Sequence, residues 1–221
     1  MTTPIFTTDF SAMTRDDFIS LVGRSLFHVT LESNLAGIDA RGLLRPAEGA
    51  RQAGFAPEDV ALRTDPETIV AAEGPMTLNH QRPLLAGREQ ARDFLSSGNL
   101  KDWAMQLDER VFFWPRQMRK TYMDSLGDRM PLAVLEIDAG GLFDIYADHL
   151  DLAPINSGAA QRKPARRGPW IYVPATATVE AFRTNRIKRD LVKTRDKVAE
   201  VSLRCDISGP QLSVLLIRRE A

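Results

Sequence analysis

Short apolar blocks separated by turn residues, some with period two and some with the helical period, organise the chain. The block "LFHVT" at 26–30 is apolar and β-branched, the composition of a short buried strand. Ahead of it, Phe18, Leu21 and Val22 form an amphipathic helical run that Thr14 and Asp17 open as a capping box and Gly23 ends. After it comes a helix capped by Ser33 or Asn34, with Leu35 and Ile38 on one face and Gly42 where a left-handed terminator belongs. Residues 45–82 contain Pro46, Gly49, Gly54, Pro57, Pro66, Gly74 and Pro75 and read as irregular chain wrapping a site. Helical patterns return at about 86–97 and 100–108. "RVFFW" at 110–114 predicts a strand closed by Pro115, then a helix to about Leu126. In "PLAVLEID" at 131–138, Leu132, Val134, Leu135 and Ile137 predict a central strand, and "GGLFDIYADHL" a helix leaving it. "LAPINSGAAQRKPARRGPWIYVP" reads as loop with an edge strand "WIYV" between Pro169 and Pro174. Residues 176–195 carry a helical pattern, and "VAEVSLRCDI" at 198–207 and "LSVLLIRR" at 212–219 read as closing strands. Five or six short strands without regular βαβ alternation predict one α+β domain over 1–221, with a mixed or antiparallel sheet and flanking helices.

Composition narrows the class. A chain of 221 residues, 43% hydrophobic and 26% charged, is ordinary for a globular domain with its own core. No apolar run approaches the roughly 20 residues of a membrane span, and the first residues lack a signal peptide's basic start and apolar block, so the expectation is a cytoplasmic protein without a membrane partner. Cys205 stands alone, which excludes an internal disulfide, and His28, His80 and His149 show no zinc-like spacing, so no metal is expected. Net charge is zero, but its distribution is uneven. From Arg162 to Lys197 there are eleven basic and three acidic residues, whereas residues 1–80 hold six basic and eleven acidic. Such a basic segment is either a solvated face or a nucleic-acid contact surface.

Two residues stand out for chemistry. By strand alternation Leu26, His28 and Thr30 share a face opposite Phe27 and Val29, so His28 is either a hydrogen-bonded core histidine or, with Thr30, part of a cleft wall. Glu200 in "KVAEVSLRC" shares a face with Val198, Ser202 and Arg204, which is either the solvent side or a second cleft wall. Glu136 in "VLEID" is the competing carboxylate, in a more apolar strand where burial would perturb it.

These residues lie in strings that resemble a known group. "LFHVTLESNLAGIDARGLL", "LDERVFFWPRQMRKTYM" and "DKVAEVSLRCDI" are similar, in that order, to segments of the DarT-like nucleic-acid ADP-ribosyltransferases. "ERVFFWP" with "LAPINSGAAQRKPARRGPW" resembles, more closely still, an uncharacterised bacterial domain family. The first resemblance implies a split ADP-ribosyltransferase sheet that binds NAD in a cleft. It implies that His28 hydrogen-bonds a ribose of NAD, that Thr30 and Asn34 help position it, and that Glu200 is the catalytic glutamate. Arg63, thirty-five residues after His28, would anchor the dinucleotide phosphates, with Arg51 as the alternative. Phe113 and Trp114, or Tyr122, would stack on nicotinamide. The acceptor would be a nucleic acid met by Arg166, Arg167, Arg186 and Arg189 of the basic segment, and a toxin-like enzyme of this kind would have an antitoxin-like protein partner. Asn156 and Ser157 of the "NSG" loop either cap a turn or enter the cleft.

The chemistry agrees with these roles. Breaking a nicotinamide–ribose bond develops positive charge on the ribose, which an ionised carboxylate stabilises, and a guanidinium fork matches pyrophosphate. His28 and Glu200 are therefore expected on adjacent strands, facing one cleft. The rival expectations are an NAD glycohydrolase, an RNA 2′-phosphotransferase, or a domain that binds nucleic acid or a nucleotide without turnover.

Overall fold

"LFHVT" forms the middle of β1 (Ser25–Leu31), which lies third from one edge of a seven-stranded sheet. The computed structural model describes residues 11–116, 120, 123–124, 131–161, 164–187 and 194–220. Across the sheet the order is β11 (Leu216–Glu220), β6 (Leu132–Asp138), β1, β5 (Val111–Pro115), β9 (Glu200–Leu203), β7 (Leu150–Ala153) and β8 (Val173–Pro174). All of these pairings are antiparallel, with helices on both faces, so the class is α+β. Two small pairs stand apart: β2 (Gly42–Leu43) with β10 (Ile207–Ser208), and the hairpin of β3 (Glu67–Ala71) and β4 (Gly74–Leu78). Among the described residues no helix is long and apolar enough to cross a membrane, and no group of His, Cys, Asp or Glu is placed to hold a metal ion.

The principal core lies on one face of the sheet. Leu26, Phe113, Leu135 and Val201 of the strands meet Phe18, Leu142 and Leu215 of the helices Arg15–Val22, Ala139–Tyr146 and Gly209–Leu215. The opposite face carries Trp103 and Leu107 of the helix Leu100–Asp108, with Phe94, Ile171 and Tyr172. The first helix starts as expected: Thr14 Oγ1 accepts from Asp17 N at 3.2 Å, and Thr14 N donates to Asp17 Oδ2 at 3.0 Å. Gly42 ends the helix Leu35–Arg41 at φ +93°, where β2 runs so close to β10 that a Cβ would lie 2.0 Å from the Ile207 carbonyl oxygen.

Four expectations are corrected. Residues 45–82 are largely ordered: the helix Pro46–Gln52 and the β3–β4 hairpin bury Ala50, Ile69 and Leu78 against Val60 in a core of their own. "LSVLLIRR" is not one strand, because Ser208 and Gln211 form a capping box that starts a helix through Leu215 before β11 begins. β7 stands where the sequence predicts the end of the helix "GGLFDIYADHL" and the start of a loop, and it pairs with β9 and β8. Asn34 makes no capping hydrogen bond. Its amide instead accepts from Thr77 N at 2.7 Å and donates to Thr77 O at 2.9 Å, the pattern of a strand rung, tying the hairpin to the end of β1.

Candidate functional site

The sheet opens beside His28. β1 and β5 pair at Leu26–Pro115 and Phe27–Trp114, while β5 turns Val111–Phe113 to β9. Where the ladder between β1 and β5 stops, the His28 side chain replaces it, its Nδ1 lying 2.9 Å from Phe112 O. A carbonyl only accepts, so Nδ1 carries the proton and, in the neutral ring, Nε2 is left as an acceptor. Burial lowers the His28 pKa against the opposing effect of that hydrogen bond, which keeps the ring neutral at physiological pH.

The opening belongs to a cavity of about 180 Å³. His28, Thr30 and Asn34 line it from β1 and the following turn; Asn156, Ser157 and Glu200 line it as well, as do Arg63 and Trp114. His28 and Glu200 thus share one cavity, but not from adjacent strands, because β5 lies between β1 and β9. Alternation also sends them to different sides. Leu26, on His28's side of β1, belongs to the principal core, as do Val201 and Leu203, which alternate with Glu200. Parting of β1 from β5 is what lets both side chains reach the same space.

Glu200 is 1% exposed, not on the solvent side. Both carboxylate oxygens accept from Ser157 N at 3.2 Å. Burial pushes its pKa up to about 7, against the pull of Ser157, Arg167 and Arg110. The Ser157 loop is itself held from behind, its carbonyl accepting from Trp103 Nε1 at 3.1 Å and from Arg167 Nη1 at 2.8 Å. Burial lowers the Arg167 pKa to about 10, so the guanidinium stays charged at neutral pH, and the Glu200 charge supports it. Arg110 bonds Asp151 at 2.5 Å and Ser202 Oγ at 2.9 Å, and its guanidinium stacks 3.8 Å over the Tyr172 ring. The Asn79 Oδ1 atom is buried, belongs to a residue lining the cavity and makes no hydrogen bond among the described residues. A ligand would satisfy it.

Other expected residues are placed differently. Phe113 is fully buried in the principal core, so Trp114 and the unanticipated Phe112, ring centroids 6.4 Å apart, form the aromatic wall. Period-two alternation along "VFFW" carried that signal. Arg63 lines the cavity with its guanidinium committed to Asp108, at 2.6 and 3.0 Å, and to the Asn79 and Val60 carbonyls. Arg51 pairs with Glu109. Asn156 takes the turn-capping option, accepting from Gly158 N at 3.1 Å, while also lining the cavity. Glu136 does not line the cavity; it pairs with Arg218 at 3.1 Å.

The basic segment is corrected at two arginines. Arg167 and Arg186 are each 2% exposed and serve the interior, Arg186 through the Lys197 and Pro154 carbonyls and Thr194. Arg183 and Arg195 pair with Asp196 and Glu180. Arg166 is exposed. Tyr122 and Arg189 lie outside the described residues.

Fold and site define an α+β protein whose antiparallel sheet parts beside a largely apolar cavity that holds a neutral histidine and a buried glutamate. The chain belongs to a family of unknown function, DUF7002, which residues 24–213 match; that span includes both "RVFFW" and "PINSGA". No curated protein and no solved structure matches it.

Proposed function

We propose that this protein is an NAD-dependent ADP-ribosyltransferase with a nucleic-acid acceptor. The observation that carries the reading is the meeting, in one cavity, of His28 with its Nδ1 bonded to Phe112 O and Glu200 cradled by Ser157 N. At about 180 Å³ the cavity is below the roughly 300–1,000 Å³ of sites that enclose whole ligands, which suits the nicotinamide–ribose end with the rest lying across the mouth. His28 Nε2 would accept from a ribose hydroxyl, Asn79 Oδ1 would accept from a polar group of that end, and Phe112 and Trp114 would flank the ring. Ionised Glu200 would stabilise the positive charge developing at the ribose carbon. As the bond to nicotinamide breaks, its electron pair leaves on the nicotinamide nitrogen, the acceptor bonds the ribose carbon, and Glu200 takes the acceptor's proton. Exposed Arg166 and the resemblance to the DarT-like enzymes support a nucleic-acid acceptor. The burial of Glu200 favours a second reading, NAD glycohydrolysis, in which water reaches a carboxylate that a macromolecule would not.

A carboxyl with a pKa of about 7 gives this reading a pH signature. The cationic nicotinamide ring favours ionised Glu200, so NAD binding should release a proton near neutrality and tighten as pH rises through about 7. The reduced dinucleotide has a neutral ring and should show no such dependence. Calorimetry in buffers of different ionisation enthalpy measures the released proton. Equal proton release with the two dinucleotides would refute the placement of the ring beside Glu200.

A further inference from the structure

The cations that line the main cavity are committed: Arg63 to Asp108 and Arg110 to Asp151. A phosphate approaching either would have to break a buried ion pair. An annex of about 40 Å³ shares His28, Thr30, Asn34 and Met76 with the cavity and adds Arg41. This arginine ends the helix Leu35–Arg41, and its guanidinium lies over Gly37, where a Cβ would be 2.5 Å from Nη1. Its hydrogen bonds, to the Glu73 and Pro75 carbonyls at the hairpin turn, are both 3.4 Å long. Glu73 acts on its charge through space, but among the described residues no carboxylate forms an ion pair with it. Two long bonds undersupply a group with five N–H donors, and Glu73 reaches it only through space, so the guanidinium keeps donors and charge for an anion in the annex.

We propose that Arg41 is the anion site of this cleft and takes a phosphate of the ligand whose reacting end lies between His28 and Glu200. The inference rests on the transfer reading for the ligand's identity, while the site itself rests on the geometry of the annex. A guanidinium fork suits a pyrophosphate oxygen pair, and the annex adjoins the cavity on the His28–Thr30 side, so one extended ligand spans both. Neutralising the C-terminal dipole of its helix is the simpler task for Arg41, and the test separates the two.

Calorimetric affinities of the parent, Arg41→Gln and Arg41→Lys are compared for ADP-ribose, inorganic pyrophosphate and phosphate-free nicotinamide riboside. Arg41→Gln should weaken ADP-ribose by about ten- to a hundredfold, the scale of lost charge-assisted hydrogen bonds, and should weaken pyrophosphate with it. Arg41→Lys should recover part of the loss, because it keeps the charge but not the fork. Nicotinamide riboside should bind all three proteins alike. Unchanged ADP-ribose affinity in Arg41→Gln, equal weakening of nicotinamide riboside, or no binding of ADP-ribose and pyrophosphate to the parent would each overturn the inference. A parent that binds ADP-ribose through Arg41 yet never cleaves NAD would sustain the anion site while the transfer reading fails. A parent that cleaves NAD while Arg41→Gln binds ADP-ribose normally would do the reverse.

Discussion

Glu200→Gln should release nicotinamide from NAD at least about a hundredfold more slowly than the parent, the scale of losing one electrostatic contributor, while NAD still stabilises the folded protein. The substitution removes the charge and keeps the shape, so ground-state binding survives except for the tightening that the ionised carboxylate adds above about pH 7, whereas transition-state stabilisation is lost. The same variant should be more stable than the parent at alkaline pH. With its folded pKa raised to about 7, Glu200 costs nothing while both states are protonated, below about pH 4. As pH rises, the unfolded chain ionises first, stability falls, and the loss is complete above about pH 7, where it amounts to about 3 kcal/mol. Glutamine escapes this loss. Denaturant melts of the two proteins should therefore diverge between acid and alkaline pH, with the variant ahead at the alkaline end. Parallel curves would mean that Glu200 is not held in the low-dielectric setting its burial describes.

Asp108→Ala should cost about 3–5 kcal/mol, because it strands the Arg63 guanidinium inside the protein. The side chains of this pair are 7% and 4% exposed, and the same carboxylate accepts from Gln81 Nε2 at 3.2 Å. Gln81 in turn accepts from Leu62 N at 2.6 Å, and Leu62 has φ +63°, a left-handed conformation that a leucine adopts only under constraint. The network thus fixes the cavity wall from residue 60 to 81. The double substitution Arg63→Met with Asp108→Leu should regain part of the loss, since it removes the stranded charge while leaving the Asn79 and Val60 carbonyls and Gln81 Nε2 without those partners. Chemical melts of the single and double variants measure both effects. If Arg63 anchored a ligand rather than the wall, Asp108→Ala would unfold at nearly the parent's denaturant concentration.

Local signals were the legible part of this chain. The Thr14 capping box, the Gly42 terminator and the apolar strands β1, β5 and β6 follow from residues within a few positions of one another, and so does the proximity of His28 to a turn. The hairpin was obscured by Pro75 and Gly74, which read as loop, although Ile69, Ala71 and Leu78 bury with period two. At the C-terminus the apolar run of Val214 to Ile217 suggested a strand, and the Ser208–Gln211 box outweighed it. Strand order is a different kind of information. Nothing local to "LFHVT" or "AEV" says that β5 lies between them, or that the sheet parts where His28 stands. The partner of Arg63 was invisible for the same reason: Asp65, near in sequence, pairs with Arg82, whereas Asp108 arrives from another helix. Burial of Arg167 and Arg186 likewise depends on carbonyls that the fold brings to them, which charge density does not reveal.

Expression of the parent and of Glu200→Gln in cells, followed by mass spectrometry of nucleic acid and protein, tests the central claim most directly. The account predicts ADP-ribose covalently added to nucleic acid by the parent, with the adduct reduced by about a hundredfold or more in Glu200→Gln. Free ADP-ribose and nicotinamide without an adduct would select the glycohydrolase reading. Neither adduct nor nicotinamide release from the parent, with NAD supplied to the purified protein, would contradict the account.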